Sequence, residues 1–374
     1  MTLWIIILWT VMALLGLALF YLGSRLPYFF NVDVFTHWSK IKTFLVCACS
    51  VIGFMGIITL CLDFVNAIIC ALYFAMIWMV SDAVFWGIQK FLGISFQHYY
   101  AGYTAIIISI LSLFAGWYLN HHVWITKYTL NTSKEISPLR IILFADSHMG
   151  TSFAAEGFKK HLNTIQKMNP DIVVVTGDYV DDGTTQKEMI LATKALGQLK
   201  TKYGVYFVFG NHDKGYYGSE RRGFSGDDLV NELKKNGIYV LRDETVLINN
   251  DFYVIGRRDL SEVTEQRKKR TSMADLVAPL DKNKYMIVLD HQPADYKNQE
   301  KVGVDLVLSG HTHGGQLFPL NQVGKWIGAN DLIYGHERRG KTDFIVTSGI
   351  SSWAIQFKTG TKSEFVVIDV KHTE

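Results

Sequence analysis

The chain has 374 residues, a net charge of +3, 49% hydrophobic residues and a mean hydropathy of +0.15, which leaves room for two domains of ordinary size. Residues 1–134 hold six of the 37 basic and three of the 34 acidic residues, so the remainder balances 31 against 31. That balance excludes a bulk electrostatic attraction of residues 135–374 to nucleic acid. All four cysteines fall in the apolar first part, and their spacing matches no zinc-binding pattern.

Four apolar runs without a charged residue predict four transmembrane helices in the first third of the chain. They are Leu3–Leu22, Thr43–Leu62, Phe64–Ser81 and Tyr100–Asn120. A helix of about 20 apolar residues crosses the ~30 Å hydrocarbon core of a bilayer. We therefore assign residues 1–126 to a transmembrane region and residues 127–137 to a linker. A cleaved signal peptide is the alternative for the first run, which lacks the basic start and the small-residue cleavage site of such a peptide.

The charges of the short loops between these runs predict the orientation of the chain. Short loops rich in Lys and Arg stay in the cytoplasm, and the positive residues here are Arg25, Lys40 and Lys42 in the first loop and Lys90 in the third. With an even number of spans, this places the following domain on the outer side of the cell (inner) membrane, whereas Lys127 and Lys134 favour the opposite. Asp82 ends the third run and is either an interfacial residue or a site for an ion or a proton.

The remaining residues alternate apolar runs of strand length with helix-like segments. The predicted strands are Leu139–Ala145, Asp171–Thr176, Val205–Phe209, Tyr285–Leu289 and Val304–Leu308, and the predicted helices are Phe153–Met168, Thr185–Lys200 and Asp227–Asn236. Continuous apolar strands between helices predict an α/β domain with a sheet covered on its faces. In such sheets ligands bind beyond the carboxyl ends of the strands.

Polar residues that can bind a metal follow each of the five strands. They are Asp146 and His148, Asp178 and Asp181, Asn211 to Asp213, Asp290 and His291, and the stretch SGHTHGGQ at Ser309–Gln316. Each set alone is ordinarily a turn, but five sets at one edge of a sheet predict a shared site. Carboxylate, imidazole and amide oxygen without thiolate suit Mn, Fe or Zn. A pair of such ions about 3.5–4 Å apart requires a bridging carboxylate to offset their repulsion.

The order of these motifs resembles the calcineurin-like metallophosphoesterases. D-x-H, G-D-x-x-D, G-N-H-D, a lone His and G-H-x-H follow one another along the chain. The extended forms GDYVDD, GNHD, DHQP and SGHTHGGQ are similar to the bacterial membrane-associated YkuE/YaeI-type branch, which is related to UDP-2,3-diacylglucosamine hydrolases. The resemblance covers about residues 138–370. It implies a two-sheet sandwich flanked by helices for residues 138–374.

The resemblance also implies a role for each motif residue. The first metal would be bound by Asp146, His148 and His313, the second by Asn211, His291 and His311, and Asp178 would bridge the two. His212 would face the phosphate and either protonate the leaving oxygen or stabilise its charge, with Asp213 orienting it. Asp181 is expected to support the ligands rather than bind metal, and Lys358 lies where relatives carry a basic residue near the phosphate.

These features predict a membrane-tethered hydrolase of phosphodiester or pyrophosphate bonds that uses two divalent ions (Mn, Fe or Zn) and a metal-activated hydroxide. The expected substrate is a phosphate-containing lipid or a nucleotide-sugar lipid, and nucleic acid is not an expected partner. One alternative is a general phosphodiesterase on soluble esters with the helices as an anchor only. Another is a metal-dependent sensor or transport component, against which a general acid at His212 argues.

Basic and aromatic residues outside the motifs bear on the choice of substrate. Arg257–Arg258 and the run Arg267–Arg270 would either hold anionic headgroups or lie on a solvated face. Trp326, Trp353 and Phe357 are expected to be packing residues, with the lining of a lipid or base pocket as the alternative.

Overall fold

The computed structural model describes residues 2–29, 40–264 and 269–373. They form two compact units, Met1–Gly116 and Trp117–Glu374.

The first unit contains the four predicted apolar helices. α1 is Thr2–Arg25, extended by a 3-10 turn at Leu26–Phe29, α2 is Lys40–Cys61, α3 is Phe64–Leu92, and α4 is Tyr100–His121, which runs on into the second unit. Each is long and apolar enough to cross a bilayer. α3 begins where the Asp63 carboxylate accepts the Asn66 N–H at 2.8 Å, and it ends at Gly93 in the left-handed conformation. It therefore continues beyond Ser81, the predicted end, and includes Asp82.

Asp82 lies in an apolar helix and is fully engaged by neighbouring side chains. Its two carboxylate oxygens accept the hydroxyls of Tyr21 and Tyr99, each at 2.6 Å. The Arg25 Nε lies 2.9 Å from Asp82 Oδ2, and the Trp78 indole donates to the Tyr99 hydroxyl at 2.7 Å. Buried polar groups are stabilised by such partners, so the presence of Asp82 in α3 requires no bound ion or proton.

The second unit is a sandwich of two six-stranded sheets. The strands are β1 (Val123–Thr132), β2 (Leu139–Phe144), β3 (Ile172–Thr176), β4 (Val205–Val208), β5 (Tyr239–Val240), β6 (Glu244–Ile248), β7 (Phe252–Gly256), β8 (Tyr285–Leu289), β9 (Leu306–Ser309), β10 (Gly335–Arg339), β11 (Thr342–Val346) and β12 (Ser363–His372). One sheet has the order β1-β12-β2-β3-β4-β5 and the other β10-β11-β9-β8-β7-β6. The pairs β2–β3–β4 and β7–β8–β9 are parallel, so each sheet presents several carboxyl ends at one edge.

Helices cover the outer faces of the sandwich. They are α5 (Ala155–Gln166), α6 (Gln186–Leu196), α7 (Ser219–Arg222), α8 (Gly226–Lys235), α9 (Leu260–Thr264), α10 (Met273–Val277), α11 (Tyr296–Val302) and α12 (Val323–Trp326), with 3-10 turns at His313–Gly315 and Leu320–Gln322. α5 and α6 fall inside two of the predicted helical segments, and α8 begins one residue before the third, at Gly226. α8 starts with a capping box in which Ser225 and Asp228 each bond the backbone N–H of the other.

The alternation of side chains along β2 shows why residues 141–144 are an unbroken apolar run. Ile141 and Leu143 pack between the two sheets with Ile287 of β8, whereas Ile142 and Phe144 pack outward against the helices. Because successive side chains point to opposite faces, a strand buried on both faces has no polar position. Full burial of each large apolar side chain contributes about 1.5–3 kcal/mol. The core therefore fixes where each strand ends and its polar residues begin.

The predicted linker 127–137 is corrected by β1. This strand begins at Val123, directly after α4, and pairs in parallel with β12 from Val123 opposite Ser363 to Thr132 opposite His372. Its side chains alternate between exposed and at least partly buried positions from Ile125 to Asn131, as expected for a half-exposed edge strand. Residues 127–132 are thus part of the sheet, and residues 133–138 alone connect β1 to β2.

Candidate metal centre

Two glycines show how closely the strand ends of the two sheets approach. A Cβ on Gly177, after β3, would lie 2.4 Å from the Gly210 nitrogen and 2.8 Å from the His291 ring. A Cβ on Gly310, after β9, would lie 2.5 Å from the Ala145 Cβ. Such distances exclude any side chain at either position. The two sheets therefore bring all five sequence motifs together, whereas the apolar strands with polar ends predicted one edge of a single sheet.

The first group of possible ligands consists of Asp146, His148 and His313. One ligand atom of each lies within 4.8 Å of the others, and all three residues are buried. The rings of His148 and His313 stack with their centres 5.1 Å apart. Among the described residues, His148 Nε2 and His313 Nδ1 have no hydrogen-bond partner. Buried nitrogens without a partner are costly, and a cation among them would remove that cost.

The second group consists of Asp178, His291 and His311, with the Asn211 amide beside it. His291 Nδ1 donates to the Thr176 carbonyl at 2.7 Å, which leaves Nε2 as the ring nitrogen that faces the rest of the group. That Nε2 faces two further acceptors, Asn211 Oδ1 at 3.1 Å and Asp178 Oδ2 at 3.2 Å. A carboxylate oxygen, an amide oxygen and an imidazole nitrogen thus converge, and these are the donor types of a cation site once the ring is neutral.

Asp178 lies between the two groups. Its Oδ2 is 3.2 Å from His291 Nε2 and 3.7 Å from His148 Nε2, while its Oδ1 accepts the backbone N–H of His212 at 2.8 Å. Burial alone would raise the pKa of Asp178, but the surrounding histidines hold it well below its usual range. A single ionised carboxylate therefore faces both groups, in the position of a bridging ligand.

The protonation of the GHTH histidines also fits metal binding. Burial lowers the pKa of His311 to about 4 and holds the pKa of His313 well below its usual range. Both rings are therefore neutral near pH 7, which is the form of imidazole that binds a cation. Burial raises the pKa of Asp146 to about 6, and the charge of Asp178 adds to this shift while His291 and His148 oppose it.

Asp181 supports His148, as expected. Its Oδ2 lies 3.4 Å from His148 Nδ1, which leaves Nε2 of that ring directed toward Asp178. Its Oδ1 accepts the Gly183 N–H at 2.8 Å. A carboxylate behind a histidine fixes the orientation of the ring and increases its basicity as a ligand.

Asp213 does not have the role expected for it. Its carboxylate accepts four backbone N–H groups, those of Asp178 (2.9 Å), Tyr179 (2.9 Å), Val180 (3.1 Å) and Gly210 (2.8 Å). Within the described part of the chain the His212 Nδ1 has no hydrogen-bond partner. Asp213 therefore joins the loops after β3 and β4 and holds Asp178 in place, and the prediction that it orients the His212 ring is corrected.

His212 lies at the partly exposed side of the site. Its ring centre is 5.0 Å from that of His148, 5.1 Å from Trp353 and 5.1 Å from Tyr216. It is absent from both ligand groups, so its ring is available to a substrate bound beside the metals. Tyr216 was not found from the sequence, yet it accepts the Asn211 amide N–H at 3.0 Å and so turns the amide oxygen toward His291.

Four of the basic residues outside the motifs, one lysine and three arginines, bond other groups of the protein. Lys358 is fully buried and donates to the carbonyls of Ser348 (2.6 Å) and Gly349 (3.4 Å), and burial lowers its pKa to about 7. It thus supports the loop that packs on Asp146.

Arg257 is buried and bonds Asp290 and Asp295 at 3.3 and 2.7 Å, so it holds the DHQP loop in place. Arg258 bonds Glu262 at 3.0 Å. Of the run Arg267–Arg270, Arg267 and Lys268 lie outside the described residues, and Arg270 bonds Asp290 at 2.5 Å. Each of the described arginines Arg257, Arg258 and Arg270 forms an ion pair. A lipid headgroup could therefore bind one of them only if that ion pair were broken.

Residues 139–315 match the family model for the calcineurin-like phosphoesterase. An uncharacterised metallophosphoesterase of Aquifex aeolicus is 31% identical over 218 residues, which cover 58% of this chain and 78% of that protein. The fold, the motifs and these matches place the chain in the calcineurin-like metallophosphoesterase family.

Two further relatives bear on the membrane unit and on the bacterial branch. A protein of Danio rerio named "Transmembrane protein with metallophosphoesterase domain" is 26% identical over 374 residues, 97% of this chain and 80% of the relative. The uncharacterised metallophosphoesterase YkuE of Bacillus subtilis is 26% identical over 269 residues, 68% of this chain and 87% of the relative. The first match includes the apolar helices, so this chain is similar to a transmembrane relative over nearly its whole length.

Proposed function

We propose that the protein is a membrane-tethered phosphoesterase with two divalent metal ions that hydrolyses phosphodiester or pyrophosphate bonds. The position of Asp178 supports this most directly, because one carboxylate faces a buried ligand group on either side. Asp146, His148 and His313 would hold one ion, and Asn211, His291 and His311 the other.

When bound, two divalent ions neutralise phosphoryl oxygens and acidify water, so that a nucleophile is present near neutral pH. The residues of the chain hold and orient the substrate beside that centre. The His212 ring, outside both ligand groups, would donate a hydrogen bond or a proton to the leaving oxygen. Asp213 and Asp181 keep the geometry rigid through the loops and through His148.

We further propose that the substrate is a lipid or lipid-linked phosphoester. Four bilayer-length helices keep the phosphoesterase domain where such esters are concentrated. The positive loops at Arg25 and Lys90 favour an orientation in the cell membrane with this domain on the outer side. The described arginines at the sites predicted for headgroups, Arg257, Arg258 and Arg270, all form ion pairs. The lipid is therefore expected to be recognised mainly through its phosphate and its apolar part.

The proposed activity is tested by assaying the purified, manganese-loaded full chain against bis-p-nitrophenyl phosphate and a panel of lipid pyrophosphates. We expect hydrolysis that is lost on chelation with EDTA and restored by Mn²⁺. Turnover that is insensitive to chelation would contradict a metal-dependent reaction. Hydrolysis of soluble esters with none of the lipids would support the alternative in which the helices only anchor the enzyme.

A further inference from the structure

Four large apolar side chains stand exposed on the segment that follows the GHTHGGQ motif. Their exposed fractions are 57% for Phe318, 63% for Leu320, 74% for Trp326 and 72% for Ile327. The expectation that Trp326 packs in the protein is therefore wrong. Trp353, also expected to pack, is 48% exposed, whereas Phe357 is buried as expected.

This segment rests directly on the turn that carries two of the candidate ligands, His311 and His313. A Cβ on Gly315 would lie 2.1 Å from the Asn321 carbonyl oxygen, so the segment and the turn are in close contact. The Phe318 N–H donates to the Thr359 hydroxyl at 3.0 Å, and Gln316 donates to the Ile355 carbonyl at 2.9 Å. The exposed apolar residues thus border the candidate metal centre.

Trp353 extends the same surface to the substrate side of the centre. Its ring centre is 5.1 Å from that of His212, the side chain proposed to meet the leaving group. Trp353 belongs to the loop that Gln316 bonds through the Ile355 carbonyl. A ligand with an apolar part could therefore contact Trp353 and reach His212 at the same time.

The charge of the segment indicates what would cover it. Residues 317–330 (LFPLNQVGKWIGAN) contain one charged residue, the exposed Lys325, and no acid. Exposed apolar patches on soluble surfaces mark binding sites. Aromatic and aliphatic residues with a lysine are typical of surfaces that lie at the boundary of headgroups and acyl chains. A bilayer is within reach of this chain, because the chain also carries four helices long enough to cross one.

We propose that Phe318, Leu320, Trp326, Ile327 and Trp353 form a lipid-binding platform. This platform lies in the headgroup–acyl boundary of a bilayer and receives the apolar part of a lipid phosphoester, while the phosphate reaches the metal centre. The identity of the substrate rests on the proposed function, but the contact between platform and bilayer does not. The platform gives the domain a preference for lipid esters over soluble esters that share the same phosphodiester group.

The preference is tested with two chromogenic phosphodiesters that release the same p-nitrophenolate, a diacylglyceryl p-nitrophenyl phosphate in mixed micelles and bis-p-nitrophenyl phosphate. In the double variant Leu320→Ser/Trp326→Ser of the full chain, the ratio of kcat/KM for the lipid ester to that for the soluble ester should fall by about tenfold or more, since apolar contact is lost. The matched control is Ile190→Ser/Leu191→Ser, which removes two exposed apolar side chains from α6. An unchanged ratio in the platform variant, or an equal fall in the control, would overturn the proposal.

A second measurement does not depend on turnover. The full chain is placed singly in nanodiscs of brominated or ordinary phospholipid, and the fluorescence of wild type minus Trp326→Phe isolates the indole of Trp326. We expect this difference signal to be quenched by brominated lipid and protected from acrylamide. Free access of acrylamide to Trp326, or protection without quenching as in a protein–protein contact, would overturn the platform. If neither ester is hydrolysed while brominated lipid still quenches Trp326, the proposed function is overturned and the lipid-binding platform is not.

Discussion

Asp178→Asn is expected to lose bound metal and phosphodiesterase activity together. The carboxylate oxygen lies between His291 and His148 at 3.2 and 3.7 Å, and an amide supplies neither the negative charge nor a second lone-pair oxygen there. Changes even to residues behind metal ligands weaken binding by about 10–100-fold, so the loss of a bridging ligand should exceed about 100-fold. Metal content by plasma mass spectrometry and turnover of bis-p-nitrophenyl phosphate measure the two effects on one preparation.

Asp227→Asn is the matched control for this charge change, since Asp227 is an acid of the same unit whose side chain is 90% exposed. It should retain metal and turnover. An Asp178→Asn protein that is folded, metal-loaded and active would rule out the bridging role.

His212→Ala is expected to retain both metals and to lose turnover by about 10²–10⁴-fold, the usual contribution of an acid–base group. The backbone N–H of residue 212 still bonds Asp178 in this variant, because that bond does not involve the ring. The ring is also absent from both ligand groups. Metal content should therefore match that of wild type, and kcat should carry the loss.

His161→Ala serves as the control for removal of an imidazole outside the site, since His161 lies on α5 and contacts Phe153. It should leave turnover near that of wild type. Normal turnover in His212→Ala would show that the ring takes no part in the reaction. Loss of a metal in this variant would show that His212 is a ligand.

The metal-binding motifs could be predicted because each lies directly after an apolar strand. Residues 172–175 are apolar and buried on both faces, so the first carboxylate comes only after the strand ends, at Asp178. The same reasoning places His291 after β8 and His311 after β9. Parallel pairing within each sheet explains why these strand ends lie at one edge of that sheet. The packing of two sheets against each other was predicted only through the family resemblance.

Other features depend on tertiary contacts that the sequence does not specify. The neighbouring positions of His212 and Asp213 suggest a side-chain pair, yet Asp213 bonds backbone groups of another loop. β1 was read as a linker because half of its residues face solvent and its partner, β12, lies far along the chain. Trp326 is an apolar residue in an apolar run, and only its surroundings show that it is exposed.

The most direct test of the account is the number of divalent ions that the full chain binds. After the protein is stripped with chelator and titrated with Mn²⁺, mass spectrometry of the desalted sample should give two ions per chain at saturation, and one or none for Asp178→Asn. Saturation of the wild-type protein at a single ion, or no binding at all, would contradict the two-metal centre.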